Sequence, residues 1–194
     1  MLHAASFATA AIGFGLLTLL DESTVRWAIF QFIVGAGLGM SLSTLLPAIM
    51  AGLPETDVAS STATYSFVRT FGYVWGVTIA ATIFNRVFDQ NLALISSSTL
   101  QEQLSGGQAY GFASQARVVR GTIAPNIWVE VIEVYRRSLR TTWWLGMGIS
   151  IVCFCLVWVE RSIPLRKELD TQYGLDAKTH DDPQQGEKSN DLKA

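Results

Sequence analysis

The sequence predicts an all-α integral membrane protein with four transmembrane helices and a polar C-terminal tail. Hydrophobic residues make up 49 % of the 194 residues and charged residues only 15 %, whereas soluble domains carry about 25 % charged residues. Residues 1–20 contain no Asp, Glu, Lys or Arg, while residues 160–194 are rich in them. Four apolar runs reach the length of about 20 residues that a helix needs to cross the hydrocarbon core of a bilayer. The net charge of −2 gives no sign of a nucleic-acid partner.

The first two predicted spans cover residues 2–20 and 25–50. The first stops at an acidic pair that cannot enter hydrocarbon, and it lacks the charged n-region and the short apolar run of a signal peptide. The second contains Gly35, Gly37 and Gly39. The spacing of Gly35 and Gly39 is typical of a helix that another helix approaches closely.

The third and fourth predicted spans cover residues 65–87 and 141–159, and a short polar turn at residues 53–57 precedes the third. Gly72 and Gly76 repeat the close-approach spacing in the third span. Tryptophan prefers the membrane–water interface, and three tryptophans flank the fourth span: Trp143, Trp144 and Trp158.

The connection between the third and fourth spans, residues 89–140, begins with a polar half and ends with a predicted amphipathic helix at about 126–140. The apolar side of this helix is a stripe at helical spacing: Trp128, Val131, Ile132, Tyr135 and Leu139. We expect the helix to lie on the membrane surface and to lead into the fourth span; the alternative is a helix that packs on its own loop. Residues 1–160 are then the membrane domain, and residues 161–194 a polar, disordered tail.

The distribution of basic residues does not decide which side of the membrane each end occupies. The positive-inside rule counts Lys and Arg close to the spans. Both the tail and the connection at residues 89–140 carry several of them. The orientation therefore stays open on charge alone.

Arg69 is the single charge in the interior of the third predicted span, and Arg86 marks its exit. A charge at the bilayer centre costs about 2.5–3.5 kcal/mol on insertion scales and usually faces a cavity or a partner. Because Arg69 lies about one turn inside the predicted span, its side chain can also snorkel to the interface or pair with Asp57 or Glu55. The other interpretation is that Arg69 lies on a substrate or proton pathway.

Gln31 and Ser43 are the further pathway candidates, both in the second span. Serine can satisfy its hydroxyl on its own helix backbone, so a purely structural role for Ser43 stays open, and Gln31 is the better candidate to face water. The chain has two histidines, His3 and His180, and lacks any constellation typical of an enzyme, a metal site or a cofactor site. We therefore expect no enzymatic activity, no metal and no cofactor.

The sequence resembles the fungal fourteen-helix drug:proton antiporters of the major facilitator superfamily in the order and spacing of several short runs. In the second span and the turn after it, these runs are Phe32–Met40, Leu46–Ala48, Leu53–Ala59 and Thr62–Thr64. In the third span they are Phe67–Gly72, Trp75–Val77 and Ile83–Asn85. Around the last span they are Tyr135–Arg140 and Ile163–Arg166. The resemblance covers roughly residues 1–175.

The resemblance implies two six-helix bundles around a central cavity, joined by two extra helices, with the four spans of this chain as the last four helices. The second span would then line the cavity, the third would lie at the bundle interface, and the first and fourth would face lipid. The tail would be cytosolic and the connection at residues 89–140 would lie outside. The implied activity is proton-coupled efflux of small, amphipathic molecules across the plasma membrane or the vacuolar membrane.

A whole family member is far longer than this chain, so we expect the chain to be incomplete and not to transport on its own. Alternating access needs two bundles that rock about a central site, and no Asp or Glu lies inside the four predicted spans. The alternative function is a non-transporting four-helix scaffold that organises partners in the bilayer, as tetraspanins do. The connection at residues 89–140 contains no cysteine, whereas tetraspanin loops resemble one another in their paired cysteines.

Overall fold

The computed structural model describes residues 1–21 and 23–159, and every regular element in these residues is helical. In chain order the elements are α1 (Leu2–Thr18), α2 (Thr24–Met50), α3 (Glu55–Asn91), a 3-10 turn (Leu92–Leu94), α4 (Ser98–Leu104), α5 (Ala109–Ser114), α6 (Ala116–Val119) and α7 (Pro125–Val157). The predicted tail at residues 161–194 lies outside the described residues.

Three of the long helices, α2, α3 and α7, are long and apolar enough to cross a membrane. The fourth, α1, is equally apolar, but its 17 residues end at Thr18, two residues before the end of the predicted span at 2–20. At about 1.5 Å per residue α1 is roughly 25 Å long, slightly less than the hydrocarbon core of about 30 Å. The fold is therefore an all-α membrane fold with three helices of spanning length and one shorter apolar helix.

The third long helix begins ten residues earlier than the span predicted at 65–87. Pro54 precedes the first turn, and α3 starts at Glu55. The Ser- and Thr-rich stretch that follows is helical because its hydroxyls bond to the preceding turn; Thr62 donates to the Val58 carbonyl at 2.8 Å and Thr64 to the Ser60 carbonyl at 2.9 Å. Most of the polar turn predicted at residues 53–57 therefore belongs to the helix.

The predicted amphipathic helix and the fourth span form one continuous helix, α7, which begins at Pro125 in the position that proline favours. Of the predicted apolar stripe, Val131 is buried, whereas Ile132 and Leu139 are 41 % and 38 % exposed, so contact of this stripe with a membrane surface stays a prediction. The buried seam is shifted to Val131, Val134 and Ser138. Ser138 fits there because its hydroxyl donates to the Val134 carbonyl at 2.8 Å.

The buried seam of α7 packs on the loop between α3 and α7, which is the alternative weighed against a surface-lying helix. The loop forms a compact cap with its own apolar core, made of Phe88, Ile95, Leu100, Leu104, Ala109, Val131 and Val134. Gly106 and Gly107 adopt φ values of 64° and 87° at the turn after α4, a conformation that residues with a Cβ rarely adopt. The cap is thus a folded extension of α3 and α7.

Glu130 of α7 holds the cap in place through hydrogen bonds, and we call this contact the Glu130 clasp. Its two carboxylate oxygens accept hydrogen bonds from the Ser96 backbone N–H at 2.7 Å and from the Ser96 hydroxyl at 2.8 Å. The Tyr135 hydroxyl donates to the Ala109 carbonyl, and the Asp89 carboxylate accepts from the Gly106 N–H at 3.3 Å. These bonds hold the loop on the protruding ends of both long helices.

Helices α1 and α2 approach each other closely along a seam of small residues. A Cβ built on Gly37 would lie 2.6 Å from the Ala10 nitrogen and 2.9 Å from the Ser6 carbonyl oxygen, so only glycine fits there. The Ser6 hydroxyl donates to the Ser41 hydroxyl at 3.2 Å in the same seam. On α1, Gly13 lies equally close to α2, because a Cβ built on Gly13 would lie 2.7 Å from the Val34 side chain.

The predicted close-approach pairs are not used between helices of this chain. A Cβ built on any of the four glycines concerned would meet nothing within 4 Å: Gly35, Gly39, Gly72 and Gly76. Gly37 alone of the predicted packing glycines makes a contact of this kind. On the other side of α1, a Cβ on Gly146 of α7 would lie 2.8 Å from the Phe14 ring, so α1 lies between α2 and α7.

Candidate functional site

An open pocket of about 470 Å³ lies where α2 ends and α3 begins. Its polar lining comes from one stripe of α3 at helical spacing: Asp57, Ser60, Ser61, Thr64 and Tyr65. Ile49 of α2 and Val68 of α3 supply the apolar side. We call this space the α2–α3 pocket. It exists because α3 starts at Glu55, which turns the predicted polar turn into a helical face.

The Tyr65 hydroxyl is buried in this region and has no hydrogen-bond partner among the described residues. A buried polar group without a partner costs about 1–3 kcal/mol, and buried polar groups in native proteins are normally satisfied by protein, water or ligand. The Tyr65 hydroxyl therefore needs a partner that the described residues do not supply, such as a water or a polar group of another molecule.

Arg69 is held between two tyrosine rings one turn to either side. Its Cζ lies 5.8 Å from the centroid of the Tyr65 ring and 5.8 Å from that of the Tyr73 ring. Contacts of this kind contribute about 0.5–1 kcal/mol at exposed sites and about 2 kcal/mol or more when desolvated. No ion pair of Arg69 is present among the described residues, and Asp57 lies roughly 18 Å away along the helix axis. The pairing with Asp57 considered above is not formed.

Helix rise gives the position of Arg69 relative to Arg140 of α7. The extramembrane end of α3 packs beside α7 through Phe84, whose ring centroid is 6.2 Å from that of Tyr135. Arg69 precedes Phe84 by fifteen residues, or roughly 22 Å of helix, and the last charge before the apolar half of α7 follows Tyr135 by roughly 8 Å. With Arg140 taken as the membrane boundary, helix rise places Arg69 roughly 14 Å further toward the opposite side. Snorkelling to the interface and a place on a pathway both stay predictions for Arg69.

The second group of predicted site residues lies in one open row on α2. Gln31, Gly35, Gly39 and Ser43 follow one another at four-residue spacing, and all four are exposed. The Ser43 hydroxyl donates to the Gly39 carbonyl at 3.0 Å, as expected for a serine that satisfies itself on its own helix. The structure thus brings Gln31 and Ser43 onto one face, and it places Arg69 on a different helix.

The α2–α3 pocket and the tyrosine pair around Arg69 were missed by sequence reasoning. The signal was present, because Tyr65, Arg69 and Tyr73 stand at four-residue spacing, which stacks side chains on a helix. The polar stripe at Asp57, Ser60 and Thr64 has helical spacing too. The assumption that the helix began at residue 65 hid the polar stripe, whereas the tyrosine spacing lay inside the predicted span and was overlooked.

Comparison with known proteins places the chain among fungal transporters. It is 36 % identical to the MFS-type efflux pump LUC4 of a Fusarium species over 190 residues, which is 97 % of this chain and 34 % of the relative. It is 43 % identical to the MFS-type transporter gkaD of Penicillium citrinum over 170 residues, 86 % of this chain and 29 % of the relative. With the MFS efflux transporter aclA of Aspergillus oryzae the identity is 40 % over 178 residues, 90 % of this chain and 32 % of the relative.

The chain spans about a third of the length of the curated relatives that it matches. No protein-family model matches it, and no solved structure does. The relatives are transporters and efflux pumps rather than enzymes.

Proposed function

The chain belongs by sequence to the fungal major facilitator superfamily (MFS) transporters, and we propose that it forms part of the translocation pathway of a small-molecule exporter. The proposed activity is proton-coupled efflux by the fourteen-helix antiporter type of MFS protein. The chain corresponds to about a third of such a transporter, so the activity belongs to the chain together with the further helices of a complete transporter.

The observation that carries this proposal is the pair formed by Tyr65 and Arg69. A guanidinium roughly at mid-membrane is costly unless it serves a cavity or a partner, and in this chain it stacks on a tyrosine whose hydroxyl is buried without a partner. We infer that a polar substrate group or a proton-carrying water partners both groups in the complete transporter. We therefore assign Arg69 to the pathway and add Tyr65 to it.

The open row on α2 supports the same proposal. Gln31 and Ser43 offer polar groups, and Gly35 and Gly39 between them, about one turn apart, carry no side chain to cover the backbone. Such a face suits the wall of a water-filled cavity, because intramembrane polar groups usually face the bundle interior. We propose that this row lines the cavity, and that Gly72 and Gly76 receive a helix of the remaining bundle.

Asp57 is the carboxylate closest to the proposed pathway in the sequence. It lines the α2–α3 pocket together with Tyr65 and lies at the start of α3, outside the span as first predicted. We propose that it exchanges protons between the pocket and the water phase. The carboxylates that couple proton entry to export would then lie in the helices that this chain lacks.

We further propose that the protein resides in the plasma membrane or the vacuolar membrane, with residues 1–160 as the membrane domain and residues 161–194 as a cytosolic tail. The cap at residues 92–124 then lies on the opposite side. Protease treatment of intact cells tests this topology. We expect a tag on the tail to be protected and the cap to be cleaved. A cleavable tail beside a protected cap would refute it.

The function is tested with a chimera in which this chain replaces the matching segment of gkaD from Penicillium citrinum. Export of a fluorescent dye that unaltered gkaD exports is measured in yeast, together with the amount of each protein in the membrane. We expect the chimera to export the dye, the chimera with Tyr65→Phe or Arg69→Gln to lose export at normal abundance, and the chain alone not to export. A membrane-inserted, abundant chimera without export would favour the scaffold function.

A further inference from the structure

A second pocket, of about 240 Å³, lies between the end of α1 and the middle of α7. Three arginines within about one turn of α7 line it: Arg136, Arg137 and Arg140. Thr18 and Leu20 line it on the α1 side, and Trp143 of α7 completes the lining. We call it the arginine pocket. It is separate from the α2–α3 pocket, which lies at the opposite ends of the long helices.

The arginine pocket carries an excess of positive charge. Glu133 is its single carboxylate, and it accepts from Arg136 Nε at 2.8 Å and from Arg137 Nε at 2.8 Å. Arg140 forms no ion pair with any residue of the described ranges. Three guanidinium groups against one carboxylate leave two positive charges, and the side chains of Arg136 and Arg137 are still 54 % and 53 % exposed.

The pocket also lies at the membrane boundary. After Arg140 the rest of α7 carries no charged residue and extends for roughly 25 Å, so Arg140 marks the level at which the helix enters hydrocarbon. Trp143 forms part of the pocket wall, and indole rings concentrate at the headgroup level. The pocket therefore opens at the depth at which lipid phosphates lie.

Two exposed apolar side chains follow or precede pocket-lining residues in the sequence. Leu19 at the end of α1 is 70 % exposed, and Trp144 of α7 is 49 % exposed. A lipid with its phosphate on the arginines has acyl chains that such side chains can contact. A free phosphate would leave these side chains unused.

We propose that the arginine pocket binds the phosphate group of an anionic membrane lipid. The planar guanidinium of Arg140 offers two parallel donors that match phosphate oxygens, and Arg136 and Arg137 add charge from the same side. Glu133 holds these two side chains in place and at the same time weakens the positive field. The proposal is independent of the transport pathway, because it concerns other residues at the other end of the helices.

The test uses the purified 194-residue chain in neutral detergent after removal of lipid. Three probes separate the sources of affinity: dioctanoyl phosphatidic acid carries phosphate and acyl chains, dioctanoylglycerol carries chains alone, and inorganic phosphate carries the charge alone. Binding is followed by the fluorescence of tryptophan, since Trp143 lines the pocket, and bound lipid is counted by native mass spectrometry. We expect saturable binding of phosphatidic acid and at least about tenfold weaker binding of the other two probes.

Three variants connect the binding to the pocket. Arg140→Gln should weaken binding of phosphatidic acid about tenfold, the effect of one charge-assisted bidentate contact. Arg120→Gln, on the cap and outside the pocket, is the matched control and should bind like the wild type. Glu133→Gln should bind phosphatidic acid more tightly, a gain that misfolding cannot produce.

Several results would overturn the proposal. Equal binding by the Arg140→Gln and Arg120→Gln variants would mean that the lipid does not bind in the arginine pocket. Inorganic phosphate that binds as tightly as phosphatidic acid would make the ligand a free anion, and dioctanoylglycerol that does so would make the site an apolar cleft. Weaker binding by Glu133→Gln would show that the arginines act through their pairing and not through their charge.

Discussion

The guanidinium of Arg69 stacks 5.8 Å from the ring centroid of Tyr65, and the hydroxyl of that same ring is buried without a hydrogen-bond partner. One residue thus supplies both the ring that stacks on the charge and a polar group that still lacks a partner among the described residues. The two side chains stand one turn apart on α3, so they move together with that helix.

The Tyr65→Phe variant is expected to affect stability and export differently. It removes an unsatisfied hydroxyl and keeps the ring under Arg69, so we expect the free energy of unfolding to stay equal or to rise by about 1 kcal/mol. Export by the gkaD chimera should fall. Thermal unfolding of the purified chain and dye efflux by the chimera measure the two effects.

Tyr73→Phe is the matched control for Tyr65→Phe, because Tyr73 stacks on the other side of Arg69 and its hydroxyl is not in the buried, unsatisfied set. We expect it to keep export. A loss of stability with Tyr65→Phe, or equal loss of export with both variants, would contradict the role assigned to the Tyr65 hydroxyl.

The close packing of α1 on α2 predicts that alanine substitutions at two neighbouring glycines of α2 differ strongly in their effect on stability. Gly37→Ala places a Cβ 2.6 Å from the backbone nitrogen of Ala10, so the helices must separate, at a cost of about 1–3 kcal/mol. Gly39→Ala meets nothing within 4 Å and should not lower stability. The melting temperatures of the two variants of the purified chain measure this difference in stability. Equal melting temperatures would contradict the contact of Gly37 with α1.

The Glu130 clasp predicts a pH dependence of the cap. Glu130 lies on the half of α7 outside the membrane, and the hydrogen bonds from the Ser96 backbone and hydroxyl lower the pKa of its carboxyl below 4.5. Because the pKa is lower in the folded state, this contribution to stability is present above about pH 4.5. It is lost as the pH falls through the lowered pKa.

Hydrogen exchange across residues 95–105 measures that clasp. In the wild type the segment should exchange slowly at pH 7 and lose protection only under strongly acidic conditions, after correction for the intrinsic rate. Glu130→Gln should exchange faster already at pH 7, whereas Glu102→Gln, an exposed position on α4, should behave like the wild type. Unchanged protection in Glu130→Gln would exclude the clasp.

The core of the cap predicts the effect of truncating a valine. Val134 is 0 % exposed and Val129 is 65 % exposed on the same helix. Val134→Ala should destabilise the cap by roughly 1–2 kcal/mol because it removes two buried methyl groups, while Val129→Ala should have little effect. Trypsin cleavage at Arg117 and Arg120 reports cap opening, and equal cleavage of both variants would mean that the cap core is not formed.

The apolar helices were predictable because the free energy of placing a segment in hydrocarbon is a sum over its own residues. Residues 2–20, 25–50 and 141–159 therefore overlap α1, α2 and the apolar half of α7 almost completely. The open row of Gln31 and Ser43 on one helix face also follows from helical spacing alone. The resemblance to fungal transporters, carried by ordered short runs, is confirmed by the relatives at 36–43 % identity.

The start of α3, the glycine that touches a neighbour and the path of the loop were decided by tertiary structure. Gly35, Gly37 and Gly39 are equivalent in sequence, and which one meets α1 depends on the rotation of one helix against another. The seam of α7 shifted to Val134 and Ser138 because the loop folds back on that face, a contact between residues more than twenty positions apart. Propensity and hydropathy describe each residue with its near neighbours, whereas packing depends on which surfaces meet, and that is determined only when the helices come together in space.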